Sequence, residues 1–168
     1  MVVSKAIRIT AISLLTNFSL ALALPVLPQV TLKSGTNIRV RLNQTLNSKT
    51  AQTGSLVMLS VVDAVKVDGV VVIEAGAQAE GTVSNAKKAG LIGTPGAIGI
   101  TVNTVQAVDG TKVAVMATAV RDGENKMVIS VILGLLCLVG FLMSGGEGTL
   151  DSSQMIDCRV LSDTDIDA

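Results

Sequence analysis

Three aspartates alternate near the end of the chain, at Asp163, Asp165 and Asp167, where their carboxylates could bind a divalent cation. Carboxylate oxygens are ligands that Ca²⁺ prefers, but a calcium loop also needs a glycine at its sharp turn and a bidentate glutamate. Neither accompanies these residues. The pattern therefore predicts a solvated acidic tail at 162–168 and no metal site.

A glycine-rich stretch could cradle a phosphate, with Gly90, Gly93, Gly96 and Gly99 at intervals of three. It lacks the Lys-Ser/Thr pair and the strand–turn–helix setting that such a cradle requires. Because glycine and proline interrupt a regular ladder, residues 87–96 are predicted to form a mobile surface loop. The adjacent lysines, 87 and 88, could contact anionic lipid or peptidoglycan.

The composition removes several classes of function. The chain has no histidine, tryptophan or tyrosine, so it has no imidazole base, none of the usual zinc or haem ligands, and no aromatic platform for nucleic-acid bases. We predict no enzyme activity, no catalytic residues, no cofactor and no nucleic-acid partner. The two cysteines, Cys137 and Cys158, are interpreted as free thiols. The core must consist of aliphatic residues, which favours a small barrel or sandwich.

The N-terminal segment has the features of a secretory signal peptide. Lys5 and Arg8 precede an apolar stretch, and Ala21 and Ala23 occupy the third and first positions before the expected cut. Cleavage after Ala23 removes residues 1–23 and leaves a linker at 24–30. This interpretation predicts export to the periplasm or cell envelope, with an uncleaved anchor as the alternative.

The longest apolar run extends from Met127 to Met143, and Ser130 is the only polar side chain within it. As a helix, these 17 residues would be roughly 25 Å long, slightly less than the ~30 Å hydrocarbon core of a bilayer. The run has no polar stripe, which disfavours an amphipathic surface helix. Residues predicted to contact a membrane or partner are Val131, Leu133, Leu135, Leu136, Leu138, Phe141 and Leu142.

Three arrangements of this run remain open: a projection or hairpin with both flanks in one compartment, a single membrane span, and a helix buried in a soluble protein. After a single span, the segment 144–168 would be cytoplasmic, yet it is strongly acidic. That charge opposes the positive-inside tendency and favours the projection or hairpin.

The remaining chain reads as short strands and tight turns. Apolar residues alternate or cluster with β-branched residues over 36–42, 56–67, 70–73, 77–84, 98–108, 111–120 and 155–161. Asp68-Gly69 and Asp109-Gly110 are typical of hairpin turns. A repeated pattern, apolar-x-x-Gly-x-x-apolar, places Gly35 and Gly76 in turns that feed strands, and a degenerate copy surrounds Ser153. This copy predicts that strand 155–161 rejoins the sheet after the apolar run.

The order of these motifs resembles a known family. The motifs are Leu32-x-x-Gly35-Thr36, Leu46-Asn47-Ser48, Val72-Ile73-x-x-Gly76, Glu80-Gly81-Thr82-Val83 and Asp109-Gly110. Together they resemble the C-terminal β-domain of TrbI-type channel subunits of conjugation and type IV secretion systems, and related small exported bacterial proteins of unassigned role. The resemblance implies a β-barrel with an inserted helical projection, copies of which form a pore in the outer membrane.

The sequence thus predicts a mainly β fold, a small barrel or sandwich at 31–161 with one inserted apolar helix at about 127–143. The predicted function is that of a non-enzymatic structural or assembly protein of the bacterial envelope, resembling a secretion-channel subunit. It would associate with a membrane through 127–143 and with further copies of itself or another envelope protein. The alternative is a soluble periplasmic binding module whose apolar helix is buried in its own core or by a partner.

Overall fold

The computed structural model describes residues 29–127, 130–131 and 144–168. These residues form twelve strands: β1 (Gln29–Leu32), β2 (Asn37–Leu42), β3 (Leu46–Asn47), β4 (Leu56–Val61), β5 (Val65–Val67), β6 (Val70–Ile73), β7 (Gln78–Lys87), β8 (Ala97–Gln106), β9 (Lys112–Asp122), β10 (Thr149–Leu150), β11 (Met155–Val160) and β12 (Thr164–Asp167).

Six strands close into an antiparallel barrel in the order β11-β2-β4-β7-β8-β9. Strand β11 completes the circle, with Cys158 opposite Ile38 of β2 and Arg159 opposite Met116 of β9. Since β11 follows the apolar run, the chain must return to the barrel after it. The predictions of a mainly β fold and of a returning strand are therefore confirmed, and the architecture is a barrel.

The barrel interior is filled by aliphatic side chains. Strand β2 alternates between exposed and buried residues at every position, as its sequence predicts. The interior side chains are those of Ile38, Val40, Leu42, Val57, Leu59, Val61, Ala79, Val83, Ile98, Ile100, Val102, Val105, Val113, Val115, Ala117, Ala119, Ile156, Cys158 and Val160. Without aromatic residues, a narrow barrel can be packed at the density of a protein interior.

Cys158 lies in this interior and forms no disulfide with a described residue. Burial is the main cause that raises the pKa of its thiol to about 12, and the charge of Asp157 adds to the effect. The thiol is therefore neutral at physiological pH and behaves as a small apolar side chain. Cys137 lies outside the described residues.

Each end of the barrel is covered by a different set of short strands. At one end, the β5–β6 hairpin lies against β1, and β1 pairs with β12. We call this the acidic end, because three aspartates of the 161–168 segment lie there. At the opposite end, β3 pairs with β10. The described residues that flank the apolar run, 123–127 and 144–148, lie on that second side.

The predicted turns have the expected backbone conformations. Asp68 and Gly69 have φ angles of 51° and 87°, and they connect Val67 to its cross-strand partner Val70. Gly35 and Gly76 also have positive φ. These values lie in the left-handed region that glycine adopts without a steric penalty. Local turn chemistry therefore explains these connections.

Two segments differ from the sequence prediction. The stretch 56–67 is not one strand: β4 belongs to the barrel, whereas β5 belongs to the hairpin at the acidic end. The stretch predicted as a solvated acidic tail, 162–168, contains β12, in which Ile166 is fully buried. The aspartates of β12 still face solvent, because a strand alternates its two faces.

The predicted inserted helix at 127–143 falls mostly outside the described residues. Of this range, Met127, Ser130 and Val131 have helical backbone conformation, and the Ser130 amide donates to the Lys126 carbonyl at 2.9 Å. That bond has the i to i−4 spacing of an α-helix. No helix in the described ranges combines the length and apolar character that crossing a bilayer requires.

Candidate functional site

Three segments meet at the end of the barrel where β3 pairs with β10, at a place that we call the neck and define as residues 89–96, 123–127 and 144–148. The outgoing limb after β9 and the returning limb before β10 contact each other directly, since the Gly146 amide donates to the Glu124 carbonyl at 2.9 Å. The residues that flank the apolar run on its two sides therefore lie together at the same end of the barrel.

The loop between β7 and β8 forms the third part of the neck. The Gly96 amide donates to the Gly146 carbonyl at 2.9 Å, and the Lys126 amide donates to the Gly93 carbonyl at 3.0 Å. The stretch is irregular, as its glycines predict. It is not a loop without partners, however, because its backbone is hydrogen bonded to both limbs.

Close backbone packing explains why the neck contains so many glycines. A Cβ atom at Gly93 would overlap the Lys126 backbone, and one at Gly145 would overlap the Thr94 backbone. At Gly148 it would lie 2.6 Å from the Arg121 carbonyl oxygen. Side chains at these positions would force the three segments apart. The glycine spacing in the sequence therefore reflects backbone contact and not a phosphate cradle.

A polar cluster fastens the returning limb to the barrel. The Glu147 carboxylate accepts a hydrogen bond from the Ser48 hydroxyl and another from the Ala89 amide at 3.1 Å. Ser48 is fully buried, and its hydroxyl accepts from the Gly148 amide at 3.0 Å. One carboxylate thus links the end of β3, the β7–β8 loop and the returning limb.

These contacts favour the charged form of Glu147. The Ser48 hydrogen bond is the largest cause of its lowered pKa, followed by the Ala89 amide, with smaller contributions from Lys49 and Lys88. Desolvation opposes the shift and is outweighed. The carboxylate is therefore ionised at neutral pH, as its acceptor role requires.

We expect the neck to open in acid. A carboxyl whose folded-state pKa lies below its ordinary value of 4.5 stabilises the fold above that value, and the contribution is lost as the pH falls through the folded-state pKa. Hydrogen-exchange protection of the Ala89 and Gly148 amides should therefore decrease as the pH falls below 4.5 and through the folded-state pKa of Glu147. Glu147→Gln should remove this pH dependence.

The matched control for this experiment is Glu124→Gln, because Glu124 is also on the neck but its side chain is 81% exposed. Its substitution should leave the acid-induced loss of protection intact. Identical protection profiles in the wild type and Glu147→Gln would contradict the assigned role of Glu147.

Only one of the predicted membrane or partner contacts is described. Val131 is 41% exposed and follows the outgoing limb of the neck in sequence, and Met127, the last residue of that limb, is 43% exposed. The other predicted contact and cleavage residues lie outside the described ranges: Leu133, Leu135, Leu136, Leu138, Phe141, Leu142, Ala21 and Ala23.

An open cleft of about 550 Å³ lies at the acidic end, between β1 and the β5–β6 hairpin. Its lining includes Lys33, Lys66 and Asp68, and the Thr31 hydroxyl there donates to Asp165 at 2.6 Å. In the described ranges, no three side chains of the metal-ligating types cluster together. This end of the molecule therefore offers an open polar surface.

The sequence motifs included Ser48 but assigned it no role, and they did not include Glu147. Neither residue carries a local signal, since their contact joins positions 99 residues apart. The sequence signal that could have indicated the neck is its group of glycines, because glycines clustered on both sides of an apolar run can indicate that backbone segments approach closely there.

No family model and no curated protein matches the chain. Among solved structures, the chain is similar to ComB10 of the Com type IV secretion system of Helicobacter pylori. The two share 11% sequence identity, and the match covers 79% of this chain and 88% of ComB10 with a TM-score of 0.44.

Proposed function

We propose that this chain is an exported, non-enzymatic structural protein of the bacterial envelope, whose barrel presents the run 127–143 to a membrane and to neighbouring copies. The observation that carries the proposal is the neck, in which hydrogen bonds hold the two flanks of the run together. The sequence resemblance to TrbI-type channel subunits agrees with this role.

The position of β11 favours a projection over a single span. This strand follows the run, yet it pairs with β2 and β9, which precede the run. A single span would place β11 across the bilayer from its own barrel. The geometry instead supports a segment that enters and leaves from one face, as a hairpin or re-entrant projection does.

Self-association gives such a projection the partners that it needs. Backbone polar groups within hydrocarbon must be satisfied by protein, and a lone segment of this length offers few internal partners at its bend. Gly134 and Gly140 are small residues of the kind that let neighbouring membrane helices approach closely. Several copies packed side by side would shield one another.

The first test is fractionation of cells that express the full chain. The wild type should be recovered with membranes, whereas Leu135→Arg with Leu138→Arg should shift it to the soluble fraction. Each arginine at the centre of a membrane segment costs about 2.5–3.5 kcal/mol, so partitioning should fall by at least about 100-fold. Val108→Arg is the control, because Val108 is 40% exposed at the acidic end.

A soluble, monodisperse wild type would contradict the proposal. In that case the run would be covered by the protein's own sheet or by a soluble partner, and the chain would be a periplasmic binding module. Membrane recovery that is insensitive to the paired arginines would also contradict it, because a different surface would then hold the protein on the membrane.

A further inference from the structure

Exposed apolar side chains lie beside the residue at which the apolar run begins. Leu91 and Ile92 are 63% and 39% exposed at the tip of the β7–β8 loop. The Lys126 amide donates to the carbonyl of Gly93, which places this tip beside Met127. The neck therefore presents an apolar rim to its surroundings.

Ile92 has an unfavourable backbone conformation. Its φ angle is 59°, in the left-handed region, where a β-branched residue is a genuine outlier. Such conformations cost stability and concentrate at sites where they serve a function. Here the strained residue places an isoleucine side chain at the exposed tip.

Charge is distributed unequally between the two ends of the barrel. The loops at the neck end, 43–55, 87–96, 121–127 and 144–154, carry five basic and four acidic residues. Those at the acidic end, 29–36, 62–77, 107–111 and 161–168, carry two basic and seven acidic residues. An anionic surface would repel the acidic end and orient the neck end toward itself.

Three lysines lie beside the apolar rim. Lys49, Lys87 and Lys88 are exposed. Lys49 directly follows Ser48 and Lys88 directly precedes Ala89, and Ser48 and Ala89 both donate hydrogen bonds to the Glu147 carboxylate of the neck. They therefore belong to the same end of the barrel as Leu91 and Ile92. Apolar tips flanked by lysines match the interface of a bilayer that contains anionic lipid.

We propose that the neck end is a docking surface for an anionic bilayer. Leu91 and Ile92 enter the headgroup boundary, while Lys49, Lys87 and Lys88 bind lipid phosphates. This inference rests on the proposed membrane association of the run and adds the lipid class and the orientation of the barrel. The barrel axis then stands roughly perpendicular to the membrane surface, with the acidic end pointing away from the bilayer.

The test compares flotation of the full chain with vesicles of phosphatidylcholine alone and with vesicles that also contain phosphatidylglycerol, at low and high salt. The wild type should prefer the anionic vesicles, and salt should weaken that preference. Since each lysine near an anionic surface is worth about fivefold in affinity, K49Q/K87Q/K88Q should lose on the order of 100-fold on anionic vesicles. Its partitioning into neutral vesicles should not change.

The matched control removes three positive charges elsewhere, in K33Q/K66Q/R159Q. This variant has the same net charge as K49Q/K87Q/K88Q and should retain the anionic preference. A second variant, Leu91→Ser with Ile92→Asn, should bind both vesicle types about tenfold more weakly, because apolar area is lost from the interface. Asparagine tolerates a positive φ, so the barrel should remain as stable as the wild type in a thermal melt.

Each outcome separates this inference from the proposed function. A wild type that binds neutral and anionic vesicles equally overturns the lipid preference, while membrane association of the run stands. Equal losses in the two triple variants overturn the assignment of lipid binding to Lys49, Lys87 and Lys88. A wild type that binds neither vesicle type overturns both proposals.

Discussion

Replacing Gly123 with alanine is expected to lower the free energy of unfolding by about 2–3 kcal/mol, the upper part of the range for overpacking. A Cβ atom at this position would overlap the carbonyl group of Gly146. The conflict is with backbone and not with a side chain that could rotate away. The two limbs of the neck would therefore have to separate.

Neighbouring hydrogen bonds make that separation costly. The Gly123 amide donates to the Gly96 carbonyl at 2.7 Å, and the Gly146 amide donates to the Glu124 carbonyl at 2.9 Å. Moving either limb breaks one of these bonds and leaves a polar backbone group without its partner. We expect urea denaturation to report the loss of stability and limited proteolysis to report faster cleavage within the neck.

Gly90→Ala is the matched control for Gly123→Ala. The nearest atom to a Cβ at Gly90 is the Thr94 Cβ at 3.3 Å, and Gly90 has no positive φ. A small shift of the Thr94 side chain can accommodate the methyl group, so we expect a change below about 1 kcal/mol. Equal effects of the two substitutions would show that the neck limbs are not held in contact.

The parts of the fold that the sequence predicts are those with local causes. The turns at Asp68-Gly69 and Asp109-Gly110 depend on residues that accept unusual φ angles. The interior face of β2 follows from its alternation of apolar and polar residues. Strand pairing around the barrel has no such local signal, because Ile38 of β2 meets Cys158 of β11 from the far end of the chain.

The split of 56–67 into β4 and β5 is a second feature that has no local signal in the sequence. Both halves are β-branched and apolar, so composition alone describes one long strand. The chain leaves the barrel after Val61 because the β5–β6 hairpin packs over the acidic end, where β1 contacts it. The competing effect is tertiary packing, which overrides local propensity.

The candidate site was only partly predictable for a similar reason. The apolar run is a continuous signal in the sequence, and its position between β9 and β10 confirms that it interrupts the β-domain. The neck depends on contacts among three separate segments. Glu147 shows no sign of its role until Ser48 and the Ala89 amide are brought to it.

Leu59→Ala is expected to cost about 4–5 kcal/mol, the upper end of the range for a buried leucine. Leu59 is fully buried on β4, and its cross-strand partner on β7 is Ala79. Its Cδ1 atom lies 3.4 Å from the position of a Cβ at Gly81. The leucine therefore fills space that two small residues leave empty.

The small neighbours explain why the cavity would persist. Ala79 has no flexible side chain to move into the space, and a side chain at Gly81 would lie 2.6 Å from the Thr101 carbonyl oxygen. None of the described core residues has an aromatic ring that could tilt into a void. A loss of this size is a large fraction of the roughly 5–15 kcal/mol that stabilises a typical domain.

Leu56→Ala on the same strand is the control, because Leu56 is 63% exposed. Its substitution should cost less than about 1 kcal/mol in urea denaturation.

The double variant Leu59→Ala with Ala79→Val tests the packing argument directly. Ala79→Val alone should overpack the barrel, whereas in the Leu59→Ala background the valine should refill part of the cavity and recover about 1–2 kcal/mol. Additive losses would mean that the side chains at positions 59 and 79 do not compete for the same space. Pairing of large with small residues across strands would then not explain how the barrel interior is packed.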